Sequence, residues 1–142
     1  MGKLDQLLFP DANRRLRRDL ARMEGWRDRG RGRLATLMSR LMQRRYGVFI
    51  SPLARIGAGV NFPHPTGIVI GEGVVIGEGA VIYQNVTLGG ARRGDWQNNN
   101  YPEIGAGTVV FAGAVIVGRI RIGAGCTILA GRQTDHPQIL ER

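Results

Sequence analysis

A large apolar residue recurs at every sixth position through the last two thirds of this chain. The three runs are Ile50, Ile56 and Phe62; Ile70, Ile76, Ile82 and Leu88; and Ile104, Val110, Ile116, Ile122 and Ile128. A smaller residue usually follows four positions later, and glycine often follows the large residue directly. Neither a strand nor a helix repeats at this interval, whereas the hexapeptide repeat of a parallel β-helix does. The sequence therefore predicts an all-β solenoid.

The repeat predicts about four stacked coils between Ile50 and Arg132, with three hexads in each triangular coil. Each coil buries its inward residues against the coils above and below, so the two open ends need covers. We expect the segment before the repeats to cover one end. Arg132 takes an inward position after Ile128, so we expect the regular coils to stop near it.

Two interruptions break the repeat. Near Gly67 its register slips by two residues, and the gap between Leu88 and Ile104 is 16 residues, ten more than one hexad. The excess lies within the polar, irregular segment 90–103. A regular solenoid gains no packing from such an excursion, so we predict a loop that protrudes over a functional surface.

The segment before the repeats is predicted to form two helices. Asp11 is a candidate N-cap for the first, whose apolar stripe is Leu16, Leu20 and Met23. We expect Gly25 to end this helix and Gly30 and Gly32 to form a loop. The second helix is predicted to end near Gly47, with one apolar face formed by Leu34, Leu37, Met38, Leu41 and Met42.

The net charge of +9 is concentrated at the amino-terminal end: residues 1–46 carry +8 of it. Three interpretations stay open for this basic segment. The first is a solvated helical pair that packs against the solenoid or a partner subunit. The second is peripheral contact with an anionic membrane surface. The third, nucleic-acid binding, is least favoured because Trp26 is the only aromatic residue among the arginines between Ala12 and Arg45.

Composition limits the remaining classes of function. The single cysteine, Cys126, excludes an intramolecular disulfide, and its inward position predicts core packing. No secretory signal and no membrane-length apolar run is evident, so a soluble cytoplasmic protein is expected. Two histidines do not make a three-histidine zinc site, so no metal is expected. We expect the second of them, His136, to be solvated.

Two segments carry a family resemblance. The sequence HPTGIVIG begins at His64 and the sequence IYQNVTLGG ends at Gly90; together they resemble the serine acetyltransferase group of the hexapeptide-repeat acyltransferases. The match runs from about Tyr46 to Ala130 and includes the slip and the loop. The resemblance implies a left-handed parallel β-helix, a homotrimer and transfer of an acetyl group from acetyl-CoA to a hydroxyl. In that family the acceptor is serine and the pathway is cysteine biosynthesis.

The resemblance also implies a set of site residues. His64 matches the family's general base, and an imidazole suits that role because its charge changes near neutral pH. Glu72 matches a family glutamate. Main-chain N–H groups around Gly89 and Gly90 would contact pantetheine or the oxyanion. The last two matched positions, where CoA lies between subunits, are Ala112 and Ala130.

The acceptor half of the motif departs from the family pattern. Phe49 replaces the aspartate that orients the histidine, Pro63 replaces the acidic residue before it, and Asn100-Tyr101 replaces an arginine-histidine pair. Two alternatives to serine O-acetylation therefore stay open. One is O-acetylation of a sugar or polysaccharide precursor, which needs no charged clamp at Asn100 and Tyr101. The other is an inactive structural scaffold.

These predictions divide the chain into three parts. Residues 1–46 form a basic helical segment, and residues 47–133 form the hexapeptide-repeat domain with its loop at 90–103. Residues 134–142 form a carboxy-terminal tail.

Overall fold

The computed structural model describes residues 11–129 and, for its backbone alone, the strand at 133–134. The predictions made for Ala130, Arg132 and His136 therefore lie outside the described residues. Within the described part of the chain, two helices precede a series of very short strands. The helices are α1 (Ala12–Asp28) and α2 (Gly32–Tyr46). The strands are β1 (Phe49–Ile50), β2 (Arg55–Ile56), β3 (Val69–Ile70), β4 (Val75–Ile76), β5 (Val81–Ile82), β6 (Thr87–Gly89), β7 (Glu103–Ile104), β8 (Val109–Val110), β9 (Val115–Val117), β10 (Arg121–Ile122), β11 (Thr127–Ile128) and β12 (Gln133–Thr134).

The strands form three parallel sheets that run along the sides of a triangular solenoid. The first sheet has the order β1-β3-β6-β9-β12, the second β10-β7-β4-β2 and the third β11-β8-β5. Successive strands of one sheet come from successive coils, so every connection between neighbours passes once around the triangle. The fold is a left-handed parallel β-helix of about four coils, as the repeat and the family resemblance predicted.

Inward-facing residues of successive coils stack on one another. Ile50 pairs with Ile70, and Ile70 pairs with Leu88 along the first sheet; all three are fully buried. Burial of each such side chain contributes about 1.5–3 kcal/mol. Cys126 is partly buried and packs against this core. Where the second sheet ends, the backbones approach so closely that a Cβ on Gly57 would lie 2.6 Å from the Glu78 nitrogen, which explains the glycine there.

The two helices cover the open end of the first coil. That coil has no preceding coil to pair with, so its outward backbone groups need other partners. Side chains of the helices supply them. The contacts are Ser39 Oγ donating to the Ile50 carbonyl at 2.7 Å, Arg27 Nη1 donating to the Pro52 and Ala54 carbonyls at 3.1 and 2.8 Å, and Asn13 Oδ1 accepting from the Phe62 nitrogen at 3.0 Å.

The helix boundaries agree with the sequence in part. Asp11 is the N-cap of α1 and its carboxylate accepts from the Asn13 nitrogen at 3.2 Å, as predicted. The prediction that Gly25 ends the helix is wrong, because α1 continues to Asp28. An internal glycine costs about 1 kcal/mol. The residues that follow it make offsetting contacts, because Trp26 packs against the core and Arg27 bonds to the Pro52 and Ala54 carbonyls. Gly30, at a φ of 71°, terminates the helix instead.

For α2, the predicted end is confirmed and the predicted start is wrong. Gly32, predicted in a loop, is the first residue of the helix. Gly47 ends it in the left-handed region, at a φ of 66°, as predicted. Among the described residues, neither helix is both long and apolar enough to cross a membrane.

The predicted apolar face of α2 is wrong for two of its members. Met38 and Met42 are buried, but the side chains of Leu34 and Leu37 are 37% and 51% exposed. The hydroxyl of Ser39 bonds to the first coil and thereby fixes which side of α2 faces the solenoid. Leu37 lies about 200° around the helix from Ser39, since each residue turns the helix by about 100°.

Candidate functional site

His64 lies where the third sheet turns into the first. Asn61 still pairs with Val81, 20 residues later, whereas Val69 pairs with Thr87, 18 residues later. The two extra residues of the register slip are therefore in residues 62–68. They let the turn bulge away from the solenoid, and His64 at its tip is exposed.

The turn that carries His64 is held by its own backbone and by the next coil. The Thr66 nitrogen donates to the His64 carbonyl at 2.8 Å. Gly67 adopts a φ of 63°, and its backbone lies against the side-chain oxygen of Asn85, where a Cβ would overlap it. Gly67 is therefore required both by its dihedral angle and by the space available.

Bulky residues mark this corner in every described coil. We call it the His64 corner; it comprises residues 62–68, 83–86 and 111–114. The Tyr83 ring is 6.2 Å from the His64 ring, and it stacks on Phe111 at 5.1 Å with an interplanar angle of 15°. Ala112 is half-buried in the same corner, next to Phe111. Tyr83 and Phe111 were not predicted as site residues, although they occupy the position after the large inward residue, where many hexads carry glycine.

A second group of predicted residues meets where the first sheet turns into the second. The Tyr101 phenol donates a hydrogen bond to Glu72 Oε1 at 3.1 Å. The Tyr101 ring covers Gly71 and Gly73, and a Cβ on Gly73 would overlap the ring. Burial, and next the bond to Glu72, raises the pKa of Tyr101. We call this the Tyr101 corner; it comprises residues 71–73 and 89–102.

The polar loop of residues 90–102 folds around Asp95. Its carboxylate accepts from the Ala91 and Arg92 nitrogens at 2.6 and 2.7 Å, and from the Asn100 side-chain amide at 3.3 Å. These bonds, led by the one from the Arg92 nitrogen, lower the pKa of Asp95. The Asn100 side chain is therefore turned into the loop.

The backbone at the start of this loop borders open space. The Gly89 carbonyl accepts from the Gly118 nitrogen at 2.9 Å, which fixes the end of β6. A Cβ on Gly89 would meet no atom within 4 Å, whereas one on Gly90 would lie 3.0 Å from the Asp95 Cβ. A ligand can therefore approach the main chain beside Gly89.

The predicted site residues thus fall into two groups. Glu72, Gly89, Gly90, Asn100 and Tyr101 gather in the Tyr101 corner. His64 and Ala112 lie in the His64 corner. The ring of Tyr83 lies between His64 and Phe111, the residue before Ala112. Within residues 11–129 no hydrogen bond or ion pair connects the His64 side chain to the Tyr101 corner. Phe49, which stands where the family pattern has an aspartate, lies on β1 and is partly exposed. Its side chain offers no carboxylate to orient His64.

Known proteins share both the sequence and the fold of the coils. The serine acetyltransferase of Salmonella typhimurium is 40% identical over 110 residues, which are 78% of this chain and 40% of that enzyme. Serine acetyltransferase 4 of Arabidopsis thaliana is 42% identical over 102 residues, or 72% of this chain and 28% of the relative. No family model matches the sequence. This chain therefore spans less than half the length of these relatives.

Solved structures show the same likeness. The serine acetyltransferase of Neisseria gonorrhoeae superimposes with a TM-score of 0.80 at 34% identity, over 92% of this chain and 50% of that one. A serine acetyltransferase solved in complex with CoA gives a TM-score of 0.65 at 32% identity, over 81% and 48% of the two chains. The chain belongs to the serine acetyltransferase-like family of hexapeptide-repeat acyltransferases.

Proposed function

We propose that this chain is an acetyl-CoA-dependent O-acetyltransferase of the serine O-acetyltransferase type. The observation that carries the proposal is the 40% identity to a serine acetyltransferase over 110 residues, 78% of this chain. The likeness to a serine acetyltransferase in complex with CoA supports acetyl-CoA as the donor.

In this proposal His64 is the general base. Its exposed imidazole takes the proton of the acceptor hydroxyl as the oxygen attacks the thioester carbonyl. The carbon–oxygen bond forms, the tetrahedral intermediate collapses, and the carbon–sulfur bond breaks. The imidazolium then returns its proton to the CoA sulfur. With Phe49 and Pro63 in place of carboxylates, no acidic neighbour at those positions orients the ring, so we expect a slower enzyme rather than an inactive one.

The donor would lie along the corners, held mainly by main-chain groups. Gly89 and Gly90 would contact pantetheine or stabilise the oxyanion, since the backbone is accessible beside Gly89. Ala112 would lie along the CoA path, and we keep the same assignment for Ala130. Glu72 would act through its bond to Tyr101 rather than on the reacting atoms.

We propose a homotrimer in which each site combines the His64 corner of one subunit with the Tyr101 corner of the next. The separation of the two groups within one chain supports this arrangement. A mixture of His64→Ala and Gly89→Trp subunits tests it, because mixed trimers would contain some sites with neither substitution. Recovered activity on mixing is expected, with each variant alone strongly impaired. Trimers by light scattering without recovered activity would contradict the composite site.

The contacts of Asn100 and Tyr101 support a second candidate acceptor beside serine. Asn100 and Tyr101 are uncharged, and their side chains bond to Asp95 and Glu72 within the chain. Neither of the two side chains therefore offers a charge to the carboxylate or ammonium of an amino acid. A neutral sugar hydroxyl needs no such clamp. We therefore propose O-acetylation of a sugar or polysaccharide precursor as the alternative.

Free CoA release with serine and with a panel of sugars and nucleotide sugars distinguishes the two acceptors. Turnover with serine supports the first proposal, and turnover with a saccharide alone supports the second. Binding of acetyl-CoA without turnover on any acceptor would support the inactive scaffold.

We also propose that residues 47–133 carry the whole site and that residues 1–46 form a separate cover. We further propose that the protein is cytoplasmic.

A further inference from the structure

The outward side of α2 combines arginines with an exposed leucine. Four residues define what we call the α2 outer face: Arg33, Leu37, Arg40 and Arg44. They lie within about 60° of one another around the helix, opposite the buried Met38 and Met42. All four are exposed, and Leu37 remains 51% exposed.

The charge on this face is uncompensated. α2 contains no aspartate or glutamate. In the part of the chain that the structure describes, no ion pair joins Arg33, Arg40 or Arg44 to a carboxylate, whereas Arg45 pairs with the buried Asp19 at 3.1 Å. The three arginines of the face are therefore available to an external anion.

Leu34 continues the apolar part of the surface. It lies about 60° around the helix from Leu37 and is 37% exposed. Both leucines lie in the exposed part of α2, whereas Ser39 and Met42 are buried. A helix whose outward side presents both leucine and arginine has the composition of one that lies in the headgroup region of a bilayer.

We propose that the α2 outer face docks on an anionic lipid surface. Arginines attract anionic headgroups, and Leu37 can enter the boundary between headgroups and acyl chains. A second copy of this chain fits the face poorly, because three arginines would meet three arginines. Nucleic acid gains from the arginines but not from exposed leucines, and no aromatic side chain stands on the face for a base to stack on. The proposal does not depend on the acetyltransferase activity.

Sedimentation of the full chain with vesicles tests this proposal. Vesicles of equimolar phosphatidylcholine and phosphatidylglycerol are compared with phosphatidylcholine alone, at low and at high salt. We expect binding to the anionic vesicles only, and weaker binding at high salt. Leu37→Gln is expected to lower the partition coefficient about tenfold. The triple variant R33Q/R40Q/R44Q is expected to lower it at least a hundredfold.

Matched variants on the solenoid serve as controls. Leu53→Gln removes another exposed leucine, 61% exposed, and Arg119→Gln removes an exposed arginine from the coils. Neither should change binding. Circular dichroism of each variant shows whether the fold is kept, which is expected because all these positions are on the surface.

Four results would overturn the proposal. The first is no sedimentation with anionic vesicles. The second is binding that Leu37→Gln and the triple variant leave unchanged. The third is binding to duplex DNA, lost in the triple variant but kept in Leu37→Gln, without vesicle binding. The fourth is a change of oligomeric mass in Leu37→Gln without vesicle binding, which would assign the face to a second copy.

Discussion

The Tyr101 phenol donates a hydrogen bond to the Glu72 carboxylate across 3.1 Å, between the end of the loop and the turn of the coil beneath it. The ring covers Gly73, the residue after Glu72, so closely that no side chain fits there. This contact joins Glu72, a predicted catalytic residue, to Tyr101, a predicted substrate-binding residue. In the proposed reaction it fixes the orientation of both side chains.

Tyr101→Phe should therefore change acceptor recognition more than donor recognition. The variant keeps the ring over Gly73 but removes the bond to Glu72, so we expect a loss of about 1 kcal/mol in the free energy of unfolding. We also expect a raised KM for the acceptor and an unchanged KM for acetyl-CoA. Urea denaturation and steady-state CoA release measure the two effects.

Tyr83→Phe is the matched control for this experiment. Within the described residues the Tyr83 hydroxyl makes no hydrogen bond, and its ring stacks on Phe111. Because Tyr83→Phe removes no bond to Glu72, we expect it to change neither the free energy of unfolding nor the KM for the acceptor. If Tyr101→Phe and Tyr83→Phe behaved alike, the Tyr101–Glu72 bond would have no role in acceptor binding.

Asp95 should make the loop sensitive to acid. Its pKa is lower in the folded chain than the ordinary 3.8, so its contribution to loop order is complete above that value. The contribution is lost as the pH falls through the lowered pKa. We expect the amide proton shifts of Ala91 and Arg92, whose nitrogens donate to Asp95, to change together in that acid range.

Asp95→Asn provides the comparison for this titration. An amide accepts these bonds more weakly than a carboxylate, so the loop should be looser at neutral pH and its amide shifts should no longer titrate. Titration of the Ala91 and Arg92 amides at or above the ordinary aspartate range in the wild-type protein would contradict the assignment.

Arg27 should hold the helices on the solenoid. Its guanidinium donates to the carbonyls of Pro52 and Ala54, and 23% of its side chain is exposed. Arg27→Ala should lower the free energy of unfolding by about 2–3 kcal/mol, because charge-assisted bonds are lost and two carbonyls need new partners. Arg27→Lys should recover part of the loss, since both bonds come from the single nitrogen Nη1 and an ammonium can also donate more than one bond.

Arg18→Ala is the control, because Arg18 is exposed on the same helix and its loss should change stability by less than about 0.5 kcal/mol. Urea midpoints of the variants measure the difference. Equal midpoints for Arg27→Ala and Arg18→Ala would show that the carbonyl contacts do not stabilise the cover.

The solenoid was predictable from the sequence because its contacts repeat. Each inward residue meets the equivalent residue of the next coil, so the six-residue spacing alone indicates that Ile70 stacks on Ile50 and Leu88 on Ile70. The slip at Gly67 and the loop before Ile104 were visible as breaks in that spacing. The caps at Asp11 and Gly47 depend on neighbouring residues and were also predictable.

The errors concern contacts between residues far apart in the chain. Periodicity marks Leu34, Leu37 and Met38 as equally apolar. Which side of α2 is buried depends on long-range contacts such as the bond from Ser39 to the Ile50 carbonyl. The part of α1 after Gly25 likewise makes contacts with residues far along the chain, because Arg27 bonds to the Pro52 and Ala54 carbonyls. The bond from Tyr101 to Glu72 joins residues 29 apart, and no local pattern predicts it.

The kcat for CoA release by His64→Ala, with the acceptor that the wild type uses, tests the central claim most directly. We predict a fall of about 100- to 10,000-fold with acetyl-CoA binding and thermal stability retained, while His136→Ala keeps wild-type turnover. An unchanged kcat in His64→Ala would contradict the assignment of His64 as the general base.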